Sequence, residues 1–347
     1  MGGGVCPTLR LTRSLQTTAY IALWLLLIAS ATIAVTFGPA DITPTEVWTT
    51  ILHHLGFVPD SPVSRLRDAI VWDLRMPRVI AAMGVGAGLA LAGVVMQALT
   101  RNPLADPYLL GLSSGAALGA VTLVVMGFAL LVPIGAFVGS LAALVLALFI
   151  AHLLGGATPV RAILAGISIS ALASAATSFI IFWSATGDSY REILSWLMGS
   201  LSGSSWLDAG LVVVSLLVCA PVMLISARGL DAFAFGDKAA ASLGVDVARL
   251  RWMLLGASAL LTGVMVAIGG AIGFVGLVVP HAVRLAVGSR HGRLLPLSML
   301  VGAIFMLWAD TMARTLFDPR ELPVGIVTAL VGAPAFLLIL MRFRRVT

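Results

Sequence analysis

From Tyr108 to Val160 the chain runs for 53 residues without an aspartate, glutamate, lysine or arginine, and His152 is the only histidine among them. A water-soluble helix needs a charged face, so a stretch of this length does not belong to a soluble core. It is also too long for one membrane-spanning helix, which takes ~20 apolar residues. The run must break, and Gly127 and Pro133 divide it into spans near 109–127 and 131–153.

The same rule places the other spans near 19–37, 79–100, 162–184, 209–227, 294–316 and 322–341. The uncharged stretch from Trp252 to Pro280 must also break. Gly269-Gly270 is the expected turn, giving spans near 252–268 and 271–288. The expectation is an all-α, polytopic integral membrane protein, with ten transmembrane helices in one domain covering 1–347. Composition agrees: 60% of the chain is hydrophobic and 10% is charged, against ~25% charged in an ordinary soluble domain. These values exclude a soluble enzyme, a single-anchor protein and a disordered chain. Long runs without alternation argue against an outer-membrane barrel. Ala19–Phe37 is long for a signal core and no clear A-x-A site follows it, so it reads as a retained first span.

An even number of spans puts both termini on one side. With the N-terminus inside, the inner segments hold 14 of the 21 basic residues and the outer segments 7. The positive-inside rule therefore puts both termini in the cytoplasm. The outer seven, Arg65, Arg67, Arg75, Arg78, Arg191, Arg314 and Arg320, are exceptions that need a reason. Basics scattered singly between apolar runs do not suit nucleic acid. Two cysteines, Cys6 and Cys219, suggest no disulfide framework.

Three connections are long enough to carry structure. Residues 38–78 contain a helix-like stretch at 44–56, and Arg191 to Ser200 reads as a surface helix. Residues 228–251 form an inner segment in which Asp237 is expected to cap a short alanine-rich helix ended by Gly244. Glycines spaced by four, Gly84 and Gly88, then Gly111, Gly115 and Gly119, predict close helix packing, with Gly93 further along the second span. Gln97 is expected to bond a neighbouring helix.

Few ionisable groups fall near the spans. Asp310, Arg314, Arg284 and His281 each lie near a span end, which disfavours an ion-gradient-driven secondary carrier. If Arg314 pairs internally, Asp310 at i,i+4 is the expected partner. No G-x-x-x-x-G-K-[ST] loop is present, since Lys238 is the only lysine and follows Asp237. The chain is therefore not expected to be an enzyme, and ATP and Mg would be bound by a separate polypeptide. His53 and His54 lack metal-site spacing and read as surface residues; no metal or cofactor site is expected.

Several motifs then occur in one order. They are Leu74-Arg-Met-Pro-Arg78, Arg101-Asn-Pro-Leu-Ala-Asp-Pro-Tyr-Leu-Leu-Gly111 and Trp196-Leu-Met-Gly-Ser200. Next come Gly273-Phe-Val-Gly-Leu-Val-Val-Pro-His-Ala-Val-Arg284, Ala309-Asp-Thr-Met-Ala-Arg314, Glu321-Leu-Pro-Val-Gly-Ile326 and Gly332-Ala-Pro-Ala-Phe336. Over residues 15–345 the chain resembles the permease of the bacterial iron-siderophore, haem and cobalamin ABC importers, the FecCD or type II family. The resemblance implies a cytoplasmic-membrane subunit working as a homo- or heterodimer. Two ATP-binding-cassette ATPase subunits would bind below it, and a periplasmic or lipid-anchored substrate-binding protein would dock above. The substrate implied is a metal chelate, with ferric siderophore first. By the same resemblance, Arg75, Arg78 and Arg314 receive carboxylates of the binding protein. The ATPase contact maps to Asp237, Lys238, Ala239, Ser242, Leu243 and Gly244. Asn102, Pro103, Asp106 and Pro107 fix a turn beside the gate, and Gly269, Gly270 and Pro280 shape the break between the seventh and eighth spans.

Overall fold

The computed structural model describes residues 13–59, 63–154, 159–184, 186–317 and 320–344. Cys6, Arg10, Pro62 and Arg345 lie outside them. The described residues are helical and contain no strand.

The first helix, α1, spans Arg13–Thr36. A capping box between Thr43 and Glu46 then starts α2, Pro44–His54, with Pro44 at its first position. The next helix begins earlier than the sequence suggested. α3, Arg65–Ala69, a π-turn over Ile70–Arg75 and α4, Met76–Thr100, form one continuous helical rod from residue 65 to 100. Pro77 explains the π-turn. It has no N–H to give to residue 73 and its ring crowds that carbonyl, so the backbone takes up an extra residue and Met76 N–H bonds the carbonyl of Val71.

The remaining apolar helices are α5 (Leu112–Val125), α6 (Val132–Leu153), α7 (Pro159–Ser184), α9 (Trp206–Ile225), α12 (Val247–Gly269), α13 (Val275–Val287), α14 (His291–Thr315) and α15 (Val324–Arg344). Three short helices complete the set: α8 (Gly187–Leu197), α10 (Ala227–Phe233) and α11 (Asp237–Ser242). Each of the ten apolar runs thus carries a helix. Seven of these are long enough to cross a membrane, and three apolar helices, Leu112–Val125, Val275–Val287 and Val324–Ile339, are shorter. At 1.5 Å per residue the 13 residues of α13 reach about 20 Å, short of a ~30 Å hydrocarbon core. The eighth run therefore does not restart at 271. Gly270 turns at φ +70, the backbone stays non-helical, and α13 begins only at Val275.

α4 is the axis of the bundle. Of its apolar window 89% is buried, against 22% for α1, and α9, α12, α13 and α14 pack around it. Backbone contact makes this possible. A Cβ on Gly86 would lie 2.1 Å from the carbonyl oxygen of Gly302, and one on Gly93 would lie 1.9 Å from that of Gly276. The Gly276 carbonyl is also the one that Pro280, four residues on within α13, leaves without a helical donor. α5 and α6 cross the same way, through Gly115 against Gly139 and Gly119 against Gly135. Gly93→Ala is therefore expected to lower the stability of the purified protein in detergent by about 1–3 kcal/mol. Gly256→Ala, where an added Cβ meets nothing within 4 Å, is expected to leave it unchanged or slightly raised. Thermal unfolding of the two variants checks both.

Candidate functional site

At one end of the bundle, the last turn of α1 leaves carbonyls without helical donors. Two arginines supply them. Arg75 donates to the carbonyls of Val35 at 2.7 Å, Thr36 at 3.0 Å and Ala40 at 3.0 Å. Arg314 donates to the carbonyl of Ala34. Cations at a helix C-terminus also meet the negative end of its dipole.

Arg78 lies beside them and is bound differently. Its Nε and one terminal nitrogen donate to both oxygens of Asp310 at 2.9–3.1 Å, while the other terminal nitrogen donates to Glu321 at 2.8 Å. Asp310 is therefore not the partner of Arg314, four residues along its own helix. The carboxylate takes the planar fork of Arg78 from α4, where two bonds form at once. The three guanidinium groups line a cleft of about 340 Å³ with Glu321, Leu74 and Phe37. Arg75 and Arg314 make no ion pair among the described residues.

The other end holds the segment between α9 and α12. Gly236, at φ +97, precedes α11, and no side chain caps that helix. Asp237 is its first residue and not its cap, because its carboxylate is taken elsewhere. One oxygen accepts from Arg101 and the other from Arg251 at 2.8 Å. Burial pushes the Asp237 carboxyl up, yet the two guanidinium groups together hold it below the usual carboxylate range. Lys238, Ser242, Leu243 and Gly244 are exposed and Ala239 is half-buried. Gly244, at φ +84, follows the helix. Asp231 of α10 caps α14, accepting from the backbone N–H of His291 at 2.9 Å and meeting its ring at 2.7 Å.

The 101–106 loop joins this end to the interior. Asn102 accepts from Leu104 N–H at 2.9 Å, and Asp106 accepts from Tyr108 N–H at 2.8 Å, starting a 3₁₀ turn at Pro107. Such Asx turns fix a loop locally. Burial pushes the Asp106 carboxyl up to about 6, with the Tyr108 N–H opposing it. The Tyr108 hydroxyl donates at 2.9 Å to the carbonyl of Ile272, inside the 270–274 break. Three sequence motifs meet at that break: Ser200 N–H donates to Gly269, the Trp196 carbonyl faces Gly270, and the Met198 carbonyl faces Gly325. Gln97 bonds the next helix as expected, to Leu277 at 3.3 Å, and also receives Arg284 at 3.1 Å. His54 stacks on Trp72 at 4.0 Å and meets Asp68 at 2.9 Å, while His53 meets the Val58 carbonyl. Sequence reasoning missed Arg101, Arg251 and Tyr108. The available signal was an arginine standing directly after a helix, where glycine is usual.

Residues 25–342 match the FecCD transport family. The chain belongs to that family. It is 44% identical over 285 residues to the hemin transport system permease protein HmuU of Yersinia pestis, covering 79% of this chain and 84% of that one. It is 36% identical over 327 residues to the molybdate import system permease protein MolB of Haemophilus influenzae, covering 93% and 95%. A solved structure of a metal-chelate-type ABC transporter in an inward-facing conformation superposes with a TM-score of 0.83 at 34% identity, covering 94% of this chain and 99% of that one. The protein is a multi-pass membrane permease subunit of an ABC importer.

The buried ion pair gives a test of the arginine cleft. Arg78→Met leaves Asp310, 1% exposed, without its partner and is expected to cost about 3–5 kcal/mol. Arg78→Met combined with Asp310→Leu is expected to recover most of that loss. Denaturation of both proteins in detergent measures the difference.

Proposed function

We propose that the chain carries a metal chelate, a ferric siderophore or haem before cobalamin, from a substrate-binding protein across the bacterial cytoplasmic membrane, powered by ATP hydrolysis on partner chains. It works beside a second permease subunit and above two ATPase subunits. The arginine cleft faces outward and α11 faces the cytoplasm, as do both termini, in line with the two-to-one excess of basic residues on that side. The three shorter apolar helices complete their crossings with the non-helical segments that adjoin them, giving ten passes.

One observation carries this reading. Arg75 and Arg314 share a cleft with Arg78, and neither has a carboxylate partner among the described residues. Carboxylates on the binding protein supply what is missing, and the Glu321 side chain, 44% exposed, is free to yield its place on Arg78. At the cytoplasmic end, α11 offers Asp237, Lys238, Ala239, Ser242, Leu243 and Gly244 to the ATPase. Leu243 and Phe235, 70% and 77% exposed, supply the apolar contact.

Arg75→Gln and Arg314→Gln keep a donor for the α1 carbonyls and remove the charge. Each is expected to weaken binding of the substrate-binding protein roughly tenfold, and wild-type affinity is expected to fall with added salt. Surface plasmon resonance on the detergent-solubilised transporter reads both; unchanged, salt-independent affinity would remove arginine docking. For the cargo, cells lacking the chain are expected to lose uptake of a labelled ferric siderophore or haem and to retain uptake of labelled molybdate. The reverse pattern assigns the chain to the oxyanion.

A further inference from the structure

Among the described residues, two that are not glycine adopt a left-handed backbone: Arg101 at φ +50 and Phe274 at φ +70. Left-handed backbone at such residues persists only where surrounding contacts enforce it. The two positions belong to one connected path. Arg101 follows α4, where a glycine would sit without strain, and its side chain reaches Asp237 on α11. Its loop is stiffened by the Asn102 and Asp106 turns and runs directly into Tyr108. The Tyr108 hydroxyl holds the carbonyl of Ile272. Two residues on is Phe274, whose Cβ lies 2.6 Å from where a Cβ on Gly332 would stand. At its other end Asp237 is also held by Arg251 of α12, whose guanidinium lies 5.5 Å from the Phe233 ring centre.

We propose that Asp237 and Arg101 form a yoke between α11 and the 101–106 loop, and that Tyr108 passes movement of α11 to the 270–274 break. Arg101 and Tyr108 are positioning residues in this scheme. They touch no substrate; they link the cytoplasmic helix to the one non-helical segment that reaches into the bundle between α12 and α13. The inference rests on the reading of α11 as the ATPase contact. Rigid elements joined by hydrogen bonds and ion pairs transmit displacement, whereas a loop free of such links absorbs it.

Arg101→Gly separates this role from a structural one. Glycine relieves the left-handed backbone and deletes the ion pair. A residue that only shaped the turn would leave stability and coupling intact. The test uses the whole transporter in proteoliposomes, with its ATPase subunits and its substrate-binding protein, and reads ATP hydrolysis with and without that binding protein. Arg101→Gly is expected to copurify with the ATPase as the wild type does and to melt no lower. Its stimulation by binding protein is expected to fall roughly fivefold or more, while Arg101→Lys keeps most of it. Tyr108→Phe, which removes one hydroxyl, is expected to show the same loss and carries the test if Arg101→Gly does not fold. Full stimulation in either Arg101→Gly or Tyr108→Phe overturns the yoke. Loss of ATPase from Arg101→Gly also overturns it, because Arg101 would then only shape the docking surface. A wild-type chain that brings down no ATPase removes the reading of α11 itself, and is recognised before any variant is made.

Discussion

A backbone carbonyl inside an apolar bundle must find a donor within the protein, because no water is there to supply one. Much of the chemistry of this chain answers that requirement. The end of α1 leaves carbonyls without helical partners, and Arg75 and Arg314 bind those of Ala34, Val35 and Thr36. Pro280 withholds a donor from Gly276, whose carbonyl is packed against the bare backbone of Gly93. The break at 270–274 exposes the Ile272 carbonyl, and Tyr108 bonds it. Gly269 receives the Ser200 amide. At Ala34–Thr36, Gly269 and Ile272 irregular backbone persists because each of those carbonyls is met by a donor from another element.

The same requirement positions the arginines of the cleft. A guanidinium has five donors in a planar fork. Arg75 uses two of its nitrogens on three carbonyls and still carries its full charge, because carbonyl dipoles do not neutralise it. Arg78 differs, since Asp310 and Glu321 already balance it. Helix capping therefore holds Arg75 and Arg314 rigidly in the cleft, 6% and 9% exposed and without a carboxylate bonded to either among the described residues. Pre-organised charge of this kind steers and orients an acidic partner at little entropic cost. Arg75 and Arg314 thus have a structural role as donors to the end of α1, whatever else the cleft meets.

Much of this architecture was legible in the sequence because charge and periodicity report directly on membrane depth. The breaks at Gly127, Pro133 and Gly269-Gly270 followed from span length and the glycines and proline that interrupt the runs, whereas the Thr43–Glu46 capping box at the start of the 44–56 stretch came only with the structure. Other features depend on tertiary geometry. Nothing in Ile70–Arg75 distinguishes a π-turn from an α-helix, although Pro77 forces some adjustment. The short α13 was hidden because Ala271–Phe274 is as apolar as the helix it precedes. Asp310 and Arg314 have helical spacing, yet the fork of Arg78, 232 positions away, offers the carboxylate two bonds at once. Asp237 was expected as a cap because it precedes alanines. Arg101 and Arg251, which claim its carboxylate, come from separate helix ends that only the fold brings together.

The charge distribution also shows how the two ends of the bundle are held. Asp310, 1% exposed, accepts three bonds from Arg78. The pair ties α4 to α14, and breaking it would leave an unmatched buried charge. Charge gathers at the two ends of the bundle: Arg75, Arg78 and Arg314 line a cleft at one, and Asp237 is held between Arg101 and Arg251 at the other.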